Sequence, residues 1–276
     1  MPSITVHSIS RYLRDHSPIP ASLRVVSRHQ RVVNLEDARG MLLALAHPSV
    51  GNGPFHLVLA KEVAFDGLTP GVMGYWDGER LMVGSWQIDV SSAASWDPYL
   101  IRSHRPIPDS SWRMARRCVS TLLATLPLQA DIDVPIWARL QEGVARLDIA
   151  QQAGGDVAVR EAASLIVGLG PGLTPAGDDV LLGFMARWWM QHSVTRNPSS
   201  IIHDLKPVWE EKGKTTRISR AWLNHAAAGR FAEPWHELYA AMTMGDEDAI
   251  CRAIVRISKT GATSGRLALL GAFSLP

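Results

Sequence analysis

The spacing of hydrophobic and polar positions divides the chain into two halves. From Leu23 to about Pro98, short apolar runs such as MLLALAH and FHLVLA stand beside β-branched stretches such as LRVVSRHQRVVNLE, a pattern typical of strands. In the stretch GVMGYWDGERLMVGSWQIDV, Asp77-Gly78 separates two such runs and predicts a β-hairpin. The first half of the chain is therefore expected to be rich in β-strands.

After the proline-containing stretch SHRPIPDSS, apolar residues recur at intervals of three and four. This spacing predicts helices in WRMARRCVSTLLATL, IWARLQEGVARLDIAQQ, TRISRAWLNHAAAG and DAICRAIVRIS. Because the strands precede the helices instead of alternating with them, we predict an α+β fold, with a β-rich N-terminal half packed against a helical C-terminal half. The expected domains are residues 1–108 and residues 109–276.

Composition and charge narrow the class of protein. The chain has 276 residues, of which 46% are hydrophobic and 20% charged, so it can bury a sizeable core in one large or two closely packed domains. A net charge of +2 without a Lys/Arg run argues against nucleic acid as a partner. No apolar stretch is typical of a signal peptide or a membrane span, so we expect a cytoplasmic protein whose partners are small molecules.

Cysteine and histidine give no sign of a metal site. Cys118 and Cys251 are far apart in helix-like surroundings and are expected to be ordinary reduced thiols. The histidines lack the H-x-x-x-H spacing of a metal-binding helix, and His225 and His236 are expected on helix surfaces. We therefore predict no metal, and the residues indicate no particular cofactor.

The stretch GLGPGLTPAGDDVLLGF is the strongest candidate for a binding site. Thr174 is a good N-cap, and Pro175 then falls at the first helical position. Gly168, Gly170 and Gly172 let the backbone turn tightly and approach a ligand. The first turn of the helix presents roughly half a positive charge, so the segment is suited to hold an anion.

Two adjacent carboxylates complicate this interpretation. Asp178 and Asp179 would repel an anion unless a proton, a cation or a ligand N–H lies between. One interpretation makes them catalytic residues; the other makes them simple partners of the helix dipole, with Gly177 and Gly183 as close-packing positions. Since the helix that follows is apolar nearly all round, we expect buried carboxylates with a function, and Asp178, nearer the glycines, as the more sensitive of the two.

Two further segments combine small residues with helix starts. They are KGKTTRISRAWLNHAAAG, whose hydroxyls and cations fit either an anion site or a solvated helix face, and GATSGR. We predict that both converge with the glycine-rich loop on one site. The candidate substrate-binding residues are Gly170, Gly172, Thr174, Gly177, Thr215, Ser219, Arg220, Thr263, Ser264 and Arg266. In the first half, HPSVGNGPFHL predicts a tight loop around Gly51, Gly53 and Pro54.

The motifs GLGPGLTPAGDD, TTRISRAWLNHAAAGRF and GATSGRLALLG, with GNGPFHL more loosely, resemble a bacterial domain family of unknown function, often labelled as a carboxylase. Members include a subunit of the oxamate carbamoyltransferase of allantoin breakdown. The resemblance implies a carbamoyl-transfer activity between carbamoyl phosphate and oxamate, carried out with companion subunits. The resemblance spans most of the helical half, and Ala262 and Leu267 stand where the family usually has His and an acid. The residues that match the family's first motif are Gly170, Pro171, Gly172, Thr174, Pro175, Gly177, Asp178 and Asp179.

Two functional hypotheses follow. The chain is either a subunit of a carbamoyl-transfer or related carboxylase-type enzyme, or a non-catalytic module that binds a small anion for assembly or regulation. In both, Arg220 and Arg266 supply counter-charge to a carbamoyl phosphate or oxamate-like ligand. In the first, Asp178 or Asp179 also accepts N–H bonds from an amide or carbamoyl group.

Overall fold

The protein is described from a computed structural model that covers residues 4–17, 19–101, 105–192, 200–211 and 213–274. The chain forms two compact units, Met1–Pro98 and Tyr99–Pro276. The first contains the strands and one short helix, and the second contains the remaining helices. The predicted α+β class is confirmed. The division falls ten residues before the boundary expected from the sequence.

One sheet makes up most of the first unit. Its strands are β1 (Ile4–Ser10), β2 (Ala21–Arg28), β3 (Val32–Asp37), β4 (Leu42–Ala46), β5 (His56–Leu59), β6 (Met73–Trp76), β7 (Arg80–Val83), β8 (Trp86–Asp89) and β9 (Ala94–Trp96), with helix α1 (Arg11–His16) after β1. The order is β5-β4-β3-β2-β6-β7-β8-β1-β9, and an additional β1–β5 pairing closes the sheet on itself.

Strand β1 closes the sheet by pairing on both edges. One edge pairs antiparallel with β5, while the other pairs parallel with β8 through Ile4 and then with β9 through Ser8. The sequence pattern missed this strand because it precedes the apolar runs from which strands were predicted. The Asp77-Gly78 hairpin is confirmed between β6 and β7. Its Asp77 carboxylate accepts the backbone N–H groups of Glu79 and Arg80.

Helices fill the second unit. They are α2 (Asp109–Thr125), α3 (Val134–Ala153), α4 (Asp156–Ile166), α5 (Ala176–Gln191), α6 (Ser200–Glu210), α7 (Arg217–Ala227), α8 (Glu233–Met244), α9 (Glu247–Ser258) and α10 (Ser264–Phe273), with a short 3-10 turn at Leu128–Ala130. All four helices predicted from the periodicity are present. Each buries the apolar stripe that its sequence spacing indicated.

Helix α5 is the centre of this unit and lies against α10. The two backbones approach closely because glycine stands at the contact: a Cβ on Gly183 would lie 1.7 Å from the carbonyl oxygen of Ala268. A Cβ on Gly271 would lie 2.0 Å from the carbonyl oxygen of Val180. Gly183 is thus confirmed as a close-packing position. Trp188, also on α5, is fully buried.

Two expectations about individual side chains are wrong. Cys118 on α2 and Cys251 on α9 form a disulfide, because the two helices pack side by side and bring Cα atoms 133 positions apart to 5.7 Å. His225 is buried instead of lying on a helix surface. Its Nδ1 accepts a hydrogen bond from Arg230 Nε at 2.9 Å. His236 is half-buried, with Nε2 3.2 Å from the carbonyl oxygen of Phe231.

Candidate functional site

The glycine-rich loop runs from the end of α4 to the start of α5. Gly168, Gly170 and Gly172 have φ of +70°, +109° and +98°, in the left-handed region that favours glycine. Helix α5 begins at Ala176 and its N-cap is Pro175, so the prediction of Thr174 as N-cap is wrong. Thr174 lies one residue too early to cap the helix. Its Oγ1 contacts Ser264 Oγ on α10 at 3.0 Å.

Two glycines of the motif permit close backbone approaches. A Cβ on Gly168 would lie 1.8 Å from the carbonyl oxygen of Lys214, and one on Gly177 would lie 1.7 Å from that of Ile166. The N–H of Gly177 donates to the carbonyl oxygen of Leu169 at 2.9 Å. Gly177 is thus confirmed as a packing position, and its donor is already used within the protein.

Asp178 is buried, and donors surround its carboxylate. The backbone N–H of Gly168 donates to Oδ1 at 2.7 Å, and Ser219 Oγ donates to Oδ2 at 2.6 Å. Thr215 Oγ1 also donates to Oδ2. Burial raises the pKa of Asp178, and the three hydrogen bonds act in the opposite direction. Asp178 thereby ties the glycine-rich loop to the start of α7.

Asp179 is also buried but has different surroundings. Its Oδ2 has no hydrogen-bond partner among the described residues. The hydroxyls of Ser264 and Thr174, which contact each other at 3.0 Å, lie beside the carboxyl group and act to lower its pKa. Burial, together with the charge of Asp178, raises the pKa of Asp179 to about 8. At neutral pH Asp179 is therefore mainly a neutral carboxylic acid.

The predicted meeting of the three segments is confirmed by their side-chain contacts, while a ligand pocket shared by them stays a prediction. Thr215 and Ser219 from the second segment reach Asp178, and Ser264 from the third reaches Thr174. Thr216, the N-cap of α7, donates its hydroxyl hydrogen to the carbonyl oxygen of Leu173 and accepts the backbone N–H of Ser219. The starts of α5, α7 and α10 thus meet around the two carboxyl groups, and each helix start contributes partial positive charge.

The two predicted arginines are placed differently. Arg266 is buried, and its guanidinium pairs with Asp131 at 2.7 Å and donates to the carbonyl oxygens of Leu126 and Ala262. Arg220 is half-buried on α7 and forms no ion pair with the described residues. The sequence offered no signal for Asp131, which lies 135 positions from Arg266.

The remaining predicted positions lie close to these contacts without a polar side-chain contact of their own. Gly170 and Gly172 shape the loop, and a Cβ on Gly170 would lie 3.0 Å from the backbone N of Ala176. Thr263 precedes α10 as its N-cap, without a side-chain capping hydrogen bond. Leu267 is buried in the core, whereas Ala262 is exposed.

The loop predicted around Gly51 lies in the first unit, between β4 and β5, and is held by side chains from β1. Ser8 Oγ donates to Asn52 Oδ1 and Ser10 Oγ to the carbonyl oxygen of Pro54, both at 2.6 Å. Gly51 has φ of +76°, and His56 Nδ1 lies 3.1 Å from its carbonyl oxygen. Burial lowers the pKa of His56 to about 4, so this imidazole is neutral at physiological pH.

Two other features are absent from the part of the chain that the structure describes, a cluster of metal ligands and a membrane-spanning helix. Across the ranges from residue 4 to residue 274 that the structure describes, no group of three His, Cys, Asp or Glu side chains could hold a metal ion. None of the helices in those ranges combines the length and apolar character that crossing a membrane requires.

The fold and site define an α+β protein with a closed sheet in one unit and, in the other, two buried carboxyl groups where three helices begin. Two family models match this chain: residues 166–275 match "Oxamate carbamoyltransferase subunit AllH", and residues 4–95 match "AllH family N-terminal domain". The chain belongs to the AllH family, and its class is that of a carbamoyl-transfer enzyme subunit. No solved structure matches it significantly. The first match contains all three converging segments.

Proposed function

We propose that this chain binds a small anionic metabolite, of the carbamoyl phosphate or oxamate kind, at the glycine-rich loop and the start of α5, as one subunit of an oxamate carbamoyltransferase-like complex. The observation that carries the proposal is the meeting of three helix starts around two buried carboxyl groups, one of which has an unpartnered oxygen. Buried polar atoms without partners are rare in folded proteins and concentrate where a ligand or a reaction completes the contacts.

The charge distribution supports an anionic ligand. The starts of α5, α7 and α10 together present partial positive charge, and Asp179, being mainly neutral at pH 7, does not cancel it. Arg220 is the candidate for full counter-charge because its guanidinium is not held by an ion pair to the described residues. Arg266 is engaged by Asp131 and supports the start of α10 instead.

The experiment that tests this proposal is titration calorimetry of the full chain with oxamate and, separately, with carbamoyl phosphate. We expect binding of at least one, and an Arg220→Ala variant should weaken it about tenfold or more through loss of counter-charge. Arg252→Ala, at an exposed position of α9, is the matched control and should bind as the wild type does. Absence of binding by the wild type to both ligands would overturn the proposal.

The alternative of a non-catalytic anion-binding module draws support from a specific observation. Thr215 and Ser219, two of the hydroxyls predicted to contact substrate, are occupied by Asp178, and Arg266 by Asp131. A carbamoyl-transfer assay, run with and without companion subunits, separates the two functions. If the complex turns over and Asp179→Ala abolishes turnover without dissociating it, the enzymatic function holds. Unchanged turnover would favour the module.

A further inference from the structure

The two adjacent carboxyl groups differ in how completely their oxygens are bonded. Asp178 receives three donors, from Gly168, Thr215 and Ser219, and neither of its oxygens is left without a partner. Asp179 is only 7% exposed, and its Oδ2 has no partner among the described residues. Successive residues of a helix point about 100° apart, so the two side chains face different surroundings.

The unpartnered Oδ2 is the oxygen of Asp179 that a ligand would complete. The hydroxyls of Ser264 and Thr174 lie beside the carboxyl group but contact each other at 3.0 Å. A proton carried on Oδ2 therefore has no acceptor among the described residues. A buried O–H group with no acceptor is unfavourable, and a ligand oxygen would relieve it.

We propose, building on the function proposed above, that Asp179 acts as a neutral carboxylic acid whose Oδ2 donates a hydrogen bond to an anionic oxygen of the ligand, while Asp178 is a positioning residue that does not touch the ligand. The ligand class is a small carboxylate or phosphate. This reverses the order expected from the sequence, in which Asp178, one residue nearer the glycine-rich loop, is the more sensitive to substitution.

The electrostatics of the site agree with this assignment. Among the described residues, Asp178 is the charged group whose field acts on Asp179, and it raises the pKa in the same direction as burial does. From α10 and from the loop before α5, the groups that face Asp179 are the uncharged hydroxyls of Ser264 and Thr174. A hydrogen bond from a neutral acid to an anion is short and strong, whereas two negative charges in this position would repel each other.

The test is the pH dependence of oxamate binding, measured by calorimetry on the full chain from pH 6 to pH 9.5. Since ionisation removes the donor, affinity should be flat below pH 8 and fall toward about tenfold per pH unit above it. In that upper range the complex should take up one proton, which calorimetry in buffers of different ionisation enthalpy detects. Asp179→Asn keeps a neutral N–H donor of nearly the same size, and it should bind within about threefold of wild type at pH 7 while losing the pH dependence.

Two variants make the outcome decisive. Asp179→Ala removes the donor and should weaken binding at least about tenfold at pH 7. Asp178→Asn is the matched control: its affinity should still fall as pH rises, but from a lower pH than in the wild type, because the charge that helps to raise the pKa of Asp179 is removed. Oxamate binding that strengthens with pH, or a large loss of affinity in Asp179→Asn at pH 7, would show an ionised acceptor and overturn this inference alone. No oxamate or carbamoyl phosphate binding by the wild type would overturn the proposed function with it.

Discussion

Ser219 Oγ donates to Asp178 Oδ2 at 2.6 Å, joining residues 41 positions apart and fixing the start of α7 beside the start of α5. Both side chains are buried. The contact is one of three hydrogen bonds that together give both carboxylate oxygens of Asp178 a partner within the protein. The role of Asp178 is therefore structural. We therefore propose the neighbouring Asp179, and not Asp178, as the residue that meets a ligand.

Replacing Asp178 should therefore reduce stability. Asp178→Asn keeps the size of the side chain but replaces a charged acceptor oxygen by an amide nitrogen, so hydrogen bonds from Gly168, Thr215 or Ser219 are lost or weakened. We expect the free energy of unfolding to fall by about 1–3 kcal/mol, measured by urea denaturation with tryptophan fluorescence.

A double-mutant cycle with Ser219→Ala assigns that loss to the contact. If the hydrogen bond matters as described, the two substitutions should be non-additive, with a coupling energy of about 0.5 kcal/mol or more. Additive losses would mean that Asp178 stabilises the protein through something other than Ser219.

The meeting of the three segments could be predicted because each segment carries a local signal of its own. Small residues and hydroxyls before an apolar run mark a helix start, and three such starts, at Ala176, Arg217 and Ser264, need only one core to bring them together. The roles of Asp178 and Asp179 could not be separated in the same way. Which of two adjacent helical side chains meets donors depends on distant neighbours, here Thr215 and Ser219, which lie 37 and 41 positions from Asp178.

Contacts between residues far apart in the sequence could not be predicted, for the same reason. Nothing near Arg266 in sequence indicated Asp131, and nothing near Cys118 indicated Cys251. Strand β1 was missed because its seven residues mix polar and apolar positions and pair with strands from three later parts of the chain. The α+β class and the hairpin at Asp77 could be predicted because they follow from periodicity and turn chemistry alone.

The α5–α10 contact should not tolerate a side chain at Gly183. In Gly183→Ala the new methyl group would lie 1.7 Å from the carbonyl oxygen of Ala268, so the helices must separate. We expect a loss of about 1–3 kcal/mol or more in the free energy of unfolding. Gly155→Ala is the control, because φ there is −98° and the nearest atom to a Cβ lies 3.6 Å away. Similar melting temperatures for both variants would contradict the close packing.

The disulfide between Cys118 and Cys251 should contribute to stability. It closes a long loop, with 133 positions between the two cysteines, and cross-links α2 to α9. Replacing both cysteines by serine should lower the free energy of unfolding by about 2–5 kcal/mol. The measurement is thermal unfolding with and without reductant, since reductant should lower the melting temperature of the wild type and leave that of the double variant unchanged. Two free thiols in the denatured, unreduced wild type would show that the bond does not form.

The pH dependence of stability provides a test of Asp179 that needs no ligand. Its pKa is raised to about 8 in the folded protein, while an unfolded chain has a carboxyl pKa near 4. Between these values the folded state binds more protons than the unfolded state. The contribution of Asp179 to stability is therefore fully present below about pH 4 and is lost progressively as pH rises toward 8, at up to about 1.4 kcal/mol per pH unit.

The Asp179→Asn variant tests this expectation because it removes the titrating carboxyl group and retains Asp178. The difference in the free energy of unfolding between the two proteins then reports on Asp179. In urea denaturation at pH 5, 6.5 and 8, the free energy of unfolding of the variant should rise relative to that of the wild type at each step. A difference that stays constant across this range would mean that Asp179 is ionised in the folded protein already at pH 5, and its role as a neutral acid would not stand.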